Sequence, residues 1–333
     1  MPEESNTITI ARPVGDVFAF LANAENDKQW RGGVAEMTRT SGQGVGILYR
    51  QIDSDLAAAG LHPFRTAQRH SHQGNAPQFS ACVRYATCDG FPCLVNGKAD
   101  AQVICVEPAL RYPNVTLLTH ALVTRLETDP SGRSATQVVV ERDGNVESNS
   151  ANMVVVAAGA INSAALLLRS ASDTHPGGLG NSSGVVGRHL MLHNSSSLIA
   201  FSTTPNPTKF QKTLGINDFY FGDREWPYPL GAMQMLGKSD TVLIGFDVPD
   251  APDPADLARH SIDFLLTTED LPRPENRVTL AADGDIRLSY APRNLEAHQR
   301  LREKFMNLLD TMRCRNEVYE TGNTRAAGSA SAA

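Results

Sequence analysis

Apolar and polar positions change period several times along the chain. Thr7–Ala11 alternates as a strand, and Val14, Val17, Phe18 and Leu21 then fall at helical spacing behind Pro13, a residue tolerated in a first helical turn. Val34–Thr38 reads as a strand ending at the turn Ser41-Gly42-Gln43-Gly44, and Val45–Ile52 as a further strand. From Ser54 the short stretch DLAAAGLHPF is helical as far as Gly60 and Pro63, and a polar loop with His70 and His72 follows. Ala99–Leu110 has the apolar content of a helix and Val115–Leu118 the β-branched content of a strand. Ala121–Glu127 and Gln137–Arg142 alternate, with turns at 129–132 and at Asp143-Gly144, and predict a small antiparallel sheet.

Met153–Ala158 is apolar without alternation. That pattern predicts a strand buried on both faces, running through Gly159 into a helix over Ile161–Ser170. A glycine at the carboxyl end of such a strand permits close approach of a ligand, though a buried strand with a tight turn and no ligand gives the same pattern. Leu198–Ser202, Met233–Gly237, Val242–Asp247, Val278–Leu280 and Ile286–Tyr290 predict strands of an antiparallel sheet over about 195–290, backed by a helix over 293–312. Residues 314–333 end in small, polar, featureless sequence and predict a disordered tail.

Composition narrows the classes. The 333 residues are 41% apolar and 20% charged, as in globular chains. Thirty Lys plus Arg against thirty-six Asp plus Glu give a net charge of −6 without a basic block, which argues against a nucleic-acid partner. Met153–Leu168 falls short of the roughly 20 residues of a membrane span, and the N-terminus has no secretory pattern, so a cytoplasmic chain is expected. The five cysteines are too few for a disulfide scaffold, and Cys82, Cys88 and Cys93 lack zinc-knuckle spacing. They read either as redox groups or as small buried thiols, the second being favoured. His189 and His193 stand four apart without an accompanying HExxH carboxylate, and no metal is assigned. His260 and His298 lie in charged helical text as solvated or helix-face histidines, with a replacement general base as the alternative. Trp30 reads as a packing residue.

Two resemblances organise the chain. ITIARPVGDVFAFLANAENDKQWRGGVAEM with SGQGVGILYR, within 1–52, resembles the opening of the START-like, polyketide-cyclase-like superfamily and implies a partial helix-grip segment. The remainder, 53–313, resembles the glucose–methanol–choline (GMC) flavin oxidoreductases. The blocks that carry it are LHPFRT at 61–66, CDGFPCLVNGKADA at 88–101, NVTLLTHALVTRLETDPSG at 114–132, VVVAAGAINSAALLLRS at 154–170, VGRHLMLH at 186–193 and TTEDLPRPENRVTL at 267–280.

That resemblance implies an α+β fold: a partial FAD-type α/β layer over 53–192 and an antiparallel substrate-domain sheet over 193–313. It places Ala158 and Gly159 near an FAD cofactor and has the main chain of Val123 face the adenine. It implies oxidation of a CH–OH group of an alcohol, sugar or sterol. Three departures stand beside it. The pyrophosphate-binding GxGxxG turn is missing, since Gly42-Gln43-Gly44-Val45-Gly46 lacks the spacing and context. The HxxGTCRMG-like and NPxxT-like blocks that carry the family's catalytic His and Asn are also missing, and Ala164 and Ala171 replace a family proline and glycine. No catalytic residue is assigned, truncation at both ends is expected, and a complementing chain is a candidate partner. A non-catalytic small-molecule or lipid-binding protein, and a non-functional fusion fragment, are the alternatives.

Overall fold

The computed structural model describes residues 47–65, 93, 95–97, 100–208, 214–248 and 250–322. The expected START-like segment, its Trp30, and Cys82 and Cys88 lie outside them. The chain divides into two compact units of discontinuous sequence: the described residues of 1–112, 195–268 and 296–333 form the first, and 113–194 with 269–295 form the second.

The first unit is built on a six-stranded sheet. Its strands are β1 (Phe64–Arg65), β5 (His193–Ser202), β6 (Leu214–Ile216), β7 (Ala232–Gly237), β8 (Ser261–Glu269) and β11 (Cys314–Gly322), in the order β1-β6-β7-β8-β5-β11. The β1/β6, β6/β7, β7/β8 and β5/β11 pairings are antiparallel. Period-2 alternation sends Leu198 and Ala200 of β5 into one core and Ile199 and Phe201 into another. Met233, Met235, Ile262, Phe264 and Leu266 join Leu198 on the larger side. Two helices cover it there: α1 (Ile47–Ala58) brings Ile52 and Leu56, and α5 (Leu295–Met306) brings Ala297, Leu301 and Phe305, four residues apart each time. Phe305 meets Phe264 edge to face with ring centroids 4.9 Å apart. On the other side α3 (Thr241–Asp247) and α4 (Pro254–His260) supply Ile244, Leu257 and Ala258.

The second unit holds a three-stranded meander of β2 (Ala121–Thr128), β3 (Ala135–Arg142) and β4 (Asn145–Asn149). Asp143 and Gly144, with φ of 49° and 77°, form the two-residue connection between β3 and β4. Helix α2 (Gly159–Arg169) packs on β2 and on the hairpin of β9 (Arg277–Leu280) and β10 (Ile286–Ser289). Leu126, Val140, Ala165, Leu166, Leu190 and Val278 are its buried apolar residues. Gly187 has φ +81°, and a Cβ there would stand 2.5 Å from the Val278 carbonyl oxygen, so glycine is what lets this turn approach β9.

The α+β class, the meander, helix α2 and strands at 193–202, 232–237, 277–280 and 286–289 agree with the sequence reading. Several expectations are corrected. Within Val45–Ile52 the described residues are helical, because Ile52 and Leu56 repeat at four and bury fully; α1 thereby runs across the 52/53 boundary. Val242–Asp247 is helix α3, since Asp240 accepts hydrogen bonds from the Val242 and Leu243 N–H groups at 2.9 Å and starts a helix there. The helical reading of ADLARHSIDF ends at His260, where β8 begins. The helix expected over 293–312 is α5 at 295–306, followed by turns. Residues 314–322 are not tail but an edge strand, anchored by the buried Cys314 and by Tyr319 against Phe201. Strand β9 pairs with β10 alone, outside the six-stranded sheet.

The largest correction concerns Met153–Ala158. It is not a strand buried on both faces: Met153 is 80% and Val155 76% exposed, and no described strand pairs with it. Val115–Leu118, likewise read as a strand, is exposed and unpaired. A strand needs a neighbour to complete its backbone hydrogen bonds, and among the described residues neither segment has one.

Candidate functional site

The residues singled out for cofactor binding all lie in the second unit. Val123 is half-buried in β2, paired with Val140 of β3. Ala158 and Gly159 are exposed where segment 153–157, outside any helix or strand, meets α2. The far end of that helix is tied down, because the Leu126 N–H donates to Ser170 Oγ at 2.9 Å and Ser170 Oγ donates to the Leu166 carbonyl at 2.7 Å. Gly159 begins the 11-residue helix, about 16 Å from that anchor at 1.5 Å per residue. Val123 and the Ala158-Gly159 pair therefore sit at separate places on one unit.

The N-terminus of α2 is open. Gly159 has φ +79°, and a Cβ there would meet nothing within 4 Å. The preceding Ala158 offers no side-chain cap, and the first turn has no acidic residue. The Ala158 N–H turns inward to Ser163 Oγ at 3.0 Å. Unsatisfied N–H groups and the positive end of the helix dipole make such a terminus receptive to an anion. Open space in front of a left-handed glycine lets a planar group come up against the backbone. The residues present thus fit one edge of a dinucleotide site.

Titratable groups in the first unit are organised differently. His298 of α5 is 4% exposed and holds two hydroxyls, Ser196 Oγ at 2.8 Å from Nε2 and Thr268 Oγ1 at 3.0 Å from Nδ1. Ser196 Oγ in turn donates to Glu320 Oε1, whose other oxygen accepts from Arg302 Nε at 2.7 Å. Burial pushes the His298 pKa down against the pull of Glu320, and Arg302 adds to the lowering. The serine is fully buried, so no substrate reaches this Ser-His-Glu chain, and it works as a structural clamp between α5, β5, β8 and β11. His260 is also buried, with Nδ1 2.8 Å from the Ser202 carbonyl and Asp256 3.8 Å from Nε2. Both histidines are therefore buried on their helices' inner faces, not solvated. His189 has φ +59° outside any helix and His193 opens β5, so their four-residue spacing is not a helical turn. Among the described residues no group of three or more His, Cys, Asp or Glu could hold a metal. Cys93 accepts a hydrogen bond from the Gly97 N–H at 3.1 Å.

One arrangement was not legible from the sequence. His62 Nδ1 lies 2.7 Å from Asp218 Oδ1, and the His62 N–H donates to both Asp218 oxygens at 3.0 and 3.1 Å. The ring is 89% exposed while the carboxylate is 12% exposed. The carboxylate thus holds the exposed imidazole through Nδ1 and through the backbone N–H of the same residue. The partners are 156 residues apart, and only the LHPFRT block drew attention to His62.

Part of the chain, including α2, is similar to a known family. Residues 66–195 match the GMC oxidoreductase family. The GMC match contains Val123, Ala158, Gly159 and the whole of α2. Paromamine 6'-oxidase of Streptomyces fradiae is 31% identical over 241 residues, covering 68% of this chain and 42% of that enzyme. The 6'''-hydroxyparomomycin C oxidase of Streptomyces lividus is 35% identical over 165 residues, 49% of this chain and 28% of that enzyme. The chain thus spans less than half the length of these curated relatives. Pyridoxine 4-oxidase from Mesorbium loti superposes with a TM-score of 0.45 at 16% identity over 83% of this chain and 52% of that chain, too loosely to fix the fold. No described helix is long and apolar enough to cross a membrane.

Proposed function

We propose that this chain is part of a GMC-type flavin oxidoreductase acting on a CH–OH group, with a hydroxylated amino sugar as the favoured substrate class. The observation that carries the proposal is the 241-residue similarity to paromamine 6'-oxidase, joined by a second relative whose name also specifies oxidation of a paromomycin-type compound.

FAD fits the open end of α2. Gly159 and Ala158 would lie near the FAD, and Val123 would offer its main chain to the adenine. FAD, when bound, supplies the hydride acceptor for alcohol oxidation. What this chain provides is backbone N–H at a helix terminus and free approach at Gly159. The proton acceptor for the alcohol is not assigned to any of its residues.

The test is a visible absorbance spectrum of the purified protein before and after incubation with excess FAD and desalting. Retained flavin bands, lost when Gly159→Val fills the open approach, are expected. Bleaching of retained flavin by paromamine without oxygen would support the substrate class. A protein that stays colourless after loading sinks the cofactor assignment and leaves a non-catalytic binding protein as the better reading.

A further inference from the structure

Helix α2 begins on two residues of opposed twist. Ala158 has φ −89° and ψ 17°, and Gly159 follows at φ +79°, a left-handed turn that glycine makes without steric cost. Intrahelical bonds do not reach the N–H groups of a first turn, and among the described residues those of Gly159 and Ala160 have no acceptor. The Ala158 N–H is the exception, because Ser163 Oγ, just over one turn along the same helix, accepts it at 3.0 Å.

Helix stability does not call for a hydroxyl at that position. Alanine is a better helix former than serine, and Ala160, Ala164 and Ala165 stand near it in the same helix. A serine inside a helix competes for nearby backbone groups, and the group Ser163 takes is the N–H that enters the turn. Ser170 acts in the same way at the far end, where its Oγ accepts the Leu126 N–H and ties the helix to β2. The two serines thus fix the helix at both ends, Ser170 against the meander and Ser163 against its own entry turn.

We propose that Ser163 is a positioning residue of the cofactor site: by holding the Ala158 N–H it sets the turn in which Gly159 presents open backbone to FAD. The inference rests on the cofactor reading above. Glycine has both signs of φ open to it, so an untethered Ala158-Gly159 pair samples many conformations, and a ligand that needs one of them bears the cost of ordering it. The hydrogen bond orders the pair beforehand. It also decides which donors are offered, since with the Ala158 N–H engaged the N–H groups left for a ligand are those of Gly159 and Ala160.

Ser163→Ala and Ser163→Thr test the proposal on the full chain with three readouts: amide exchange at Ala158 without FAD, FAD affinity by fluorescence titration, and urea unfolding without FAD. Ser163→Ala should speed exchange of the Ala158 amide and weaken FAD by about fivefold, the worth of one hydrogen bond. Its unfolding midpoint should stay at or above that of the wild type, because alanine favours the helix and Ser163 is only half-buried. Ser163→Thr keeps the hydroxyl and should return both exchange and affinity to near the wild-type values. A merely structural serine would instead move stability and affinity together. Unchanged FAD affinity or unchanged Ala158 exchange in Ser163→Ala overturns the proposal and leaves the cofactor reading standing. So does a loss of affinity that tracks a loss of stability, or a threonine variant as weak as the alanine one. A wild type that takes up no FAD overturns the cofactor reading and the proposal with it.

Discussion

Replacing His298 with Gln tests whether burial of one imidazole makes the first unit acid-sensitive. The hydrogen bonds fix its protonation state. Ser196 Oγ donates to Glu320, so it accepts from His298 Nε2–H at 2.8 Å, and Nδ1 is left to accept from Thr268 Oγ1 at 3.0 Å. The ring is neutral, and protonating Nδ1 would turn the Thr268 donor against a new donor. With burial the largest cause, the folded-state pKa lies below the ordinary value of about 6.5. Between those two pKa values the unfolded chain binds more protons than the folded one. The contribution of His298 is therefore complete above about pH 6.5 and is lost as pH falls toward the folded pKa, at up to about 1.4 kcal/mol per pH unit. Glutamine offers one donor toward Ser196 and one acceptor toward Thr268 but has no proton to gain. Urea unfolding over this window should show wild-type stability falling below the His298→Gln curve's slope, with a cost at high pH of about 1 kcal/mol for the changed shape. Wild-type and variant curves that stay parallel would refute the reasoning.

Two further substitutions test how the first unit is held together. Phe305→Ala removes a 1% exposed ring from between α5 and the sheet and should cost about 3–5 kcal/mol in chemical denaturation, with the helix content of the folded state retained. Asp240→Ala frees the Val242 and Leu243 N–H groups at the start of α3 and should lower stability by about 0.5–2 kcal/mol in the same assay, with Asp240→Asn recovering most of it.

Where local signals and tertiary environment agreed, the sequence was legible. The turn at Asp143-Gly144 and the alternation on either side need no distant partner to be recognised, and they gave β3 and β4 their register. The i, i+4 series Ala297, Leu301 and Phe305 likewise names the inner face of α5. Misreadings occurred where apolar content was weighed and caps were not. Thr241–Asp247 is rich in strand formers, but the preceding Asp240 is a helix start that outweighs them once its carboxylate reaches two N–H groups. Strand β11 was hidden because only Cys314, Val318 and Tyr319 among its described side chains contact a core, and the polar residues between them look like tail. The His62–Asp218 pair and the Ser196–His298–Glu320 chain depend on residues more than a hundred positions apart, and nothing local marks them.

Met153–Ala157 shows why such a reading separates demand from supply. Five apolar, β-favouring residues predict a strand, and among the described residues the segment forms none. What would pair with it is not written in the run itself, since pairing is a property of two segments and the run specifies one. The family resemblance makes the run a strand of a flavin layer, whereas among the described residues no strand pairs with it. Val155 is exposed and stands four residues before the open Gly159 terminus, so a strand that paired with 153–157 would also approach the start of α2.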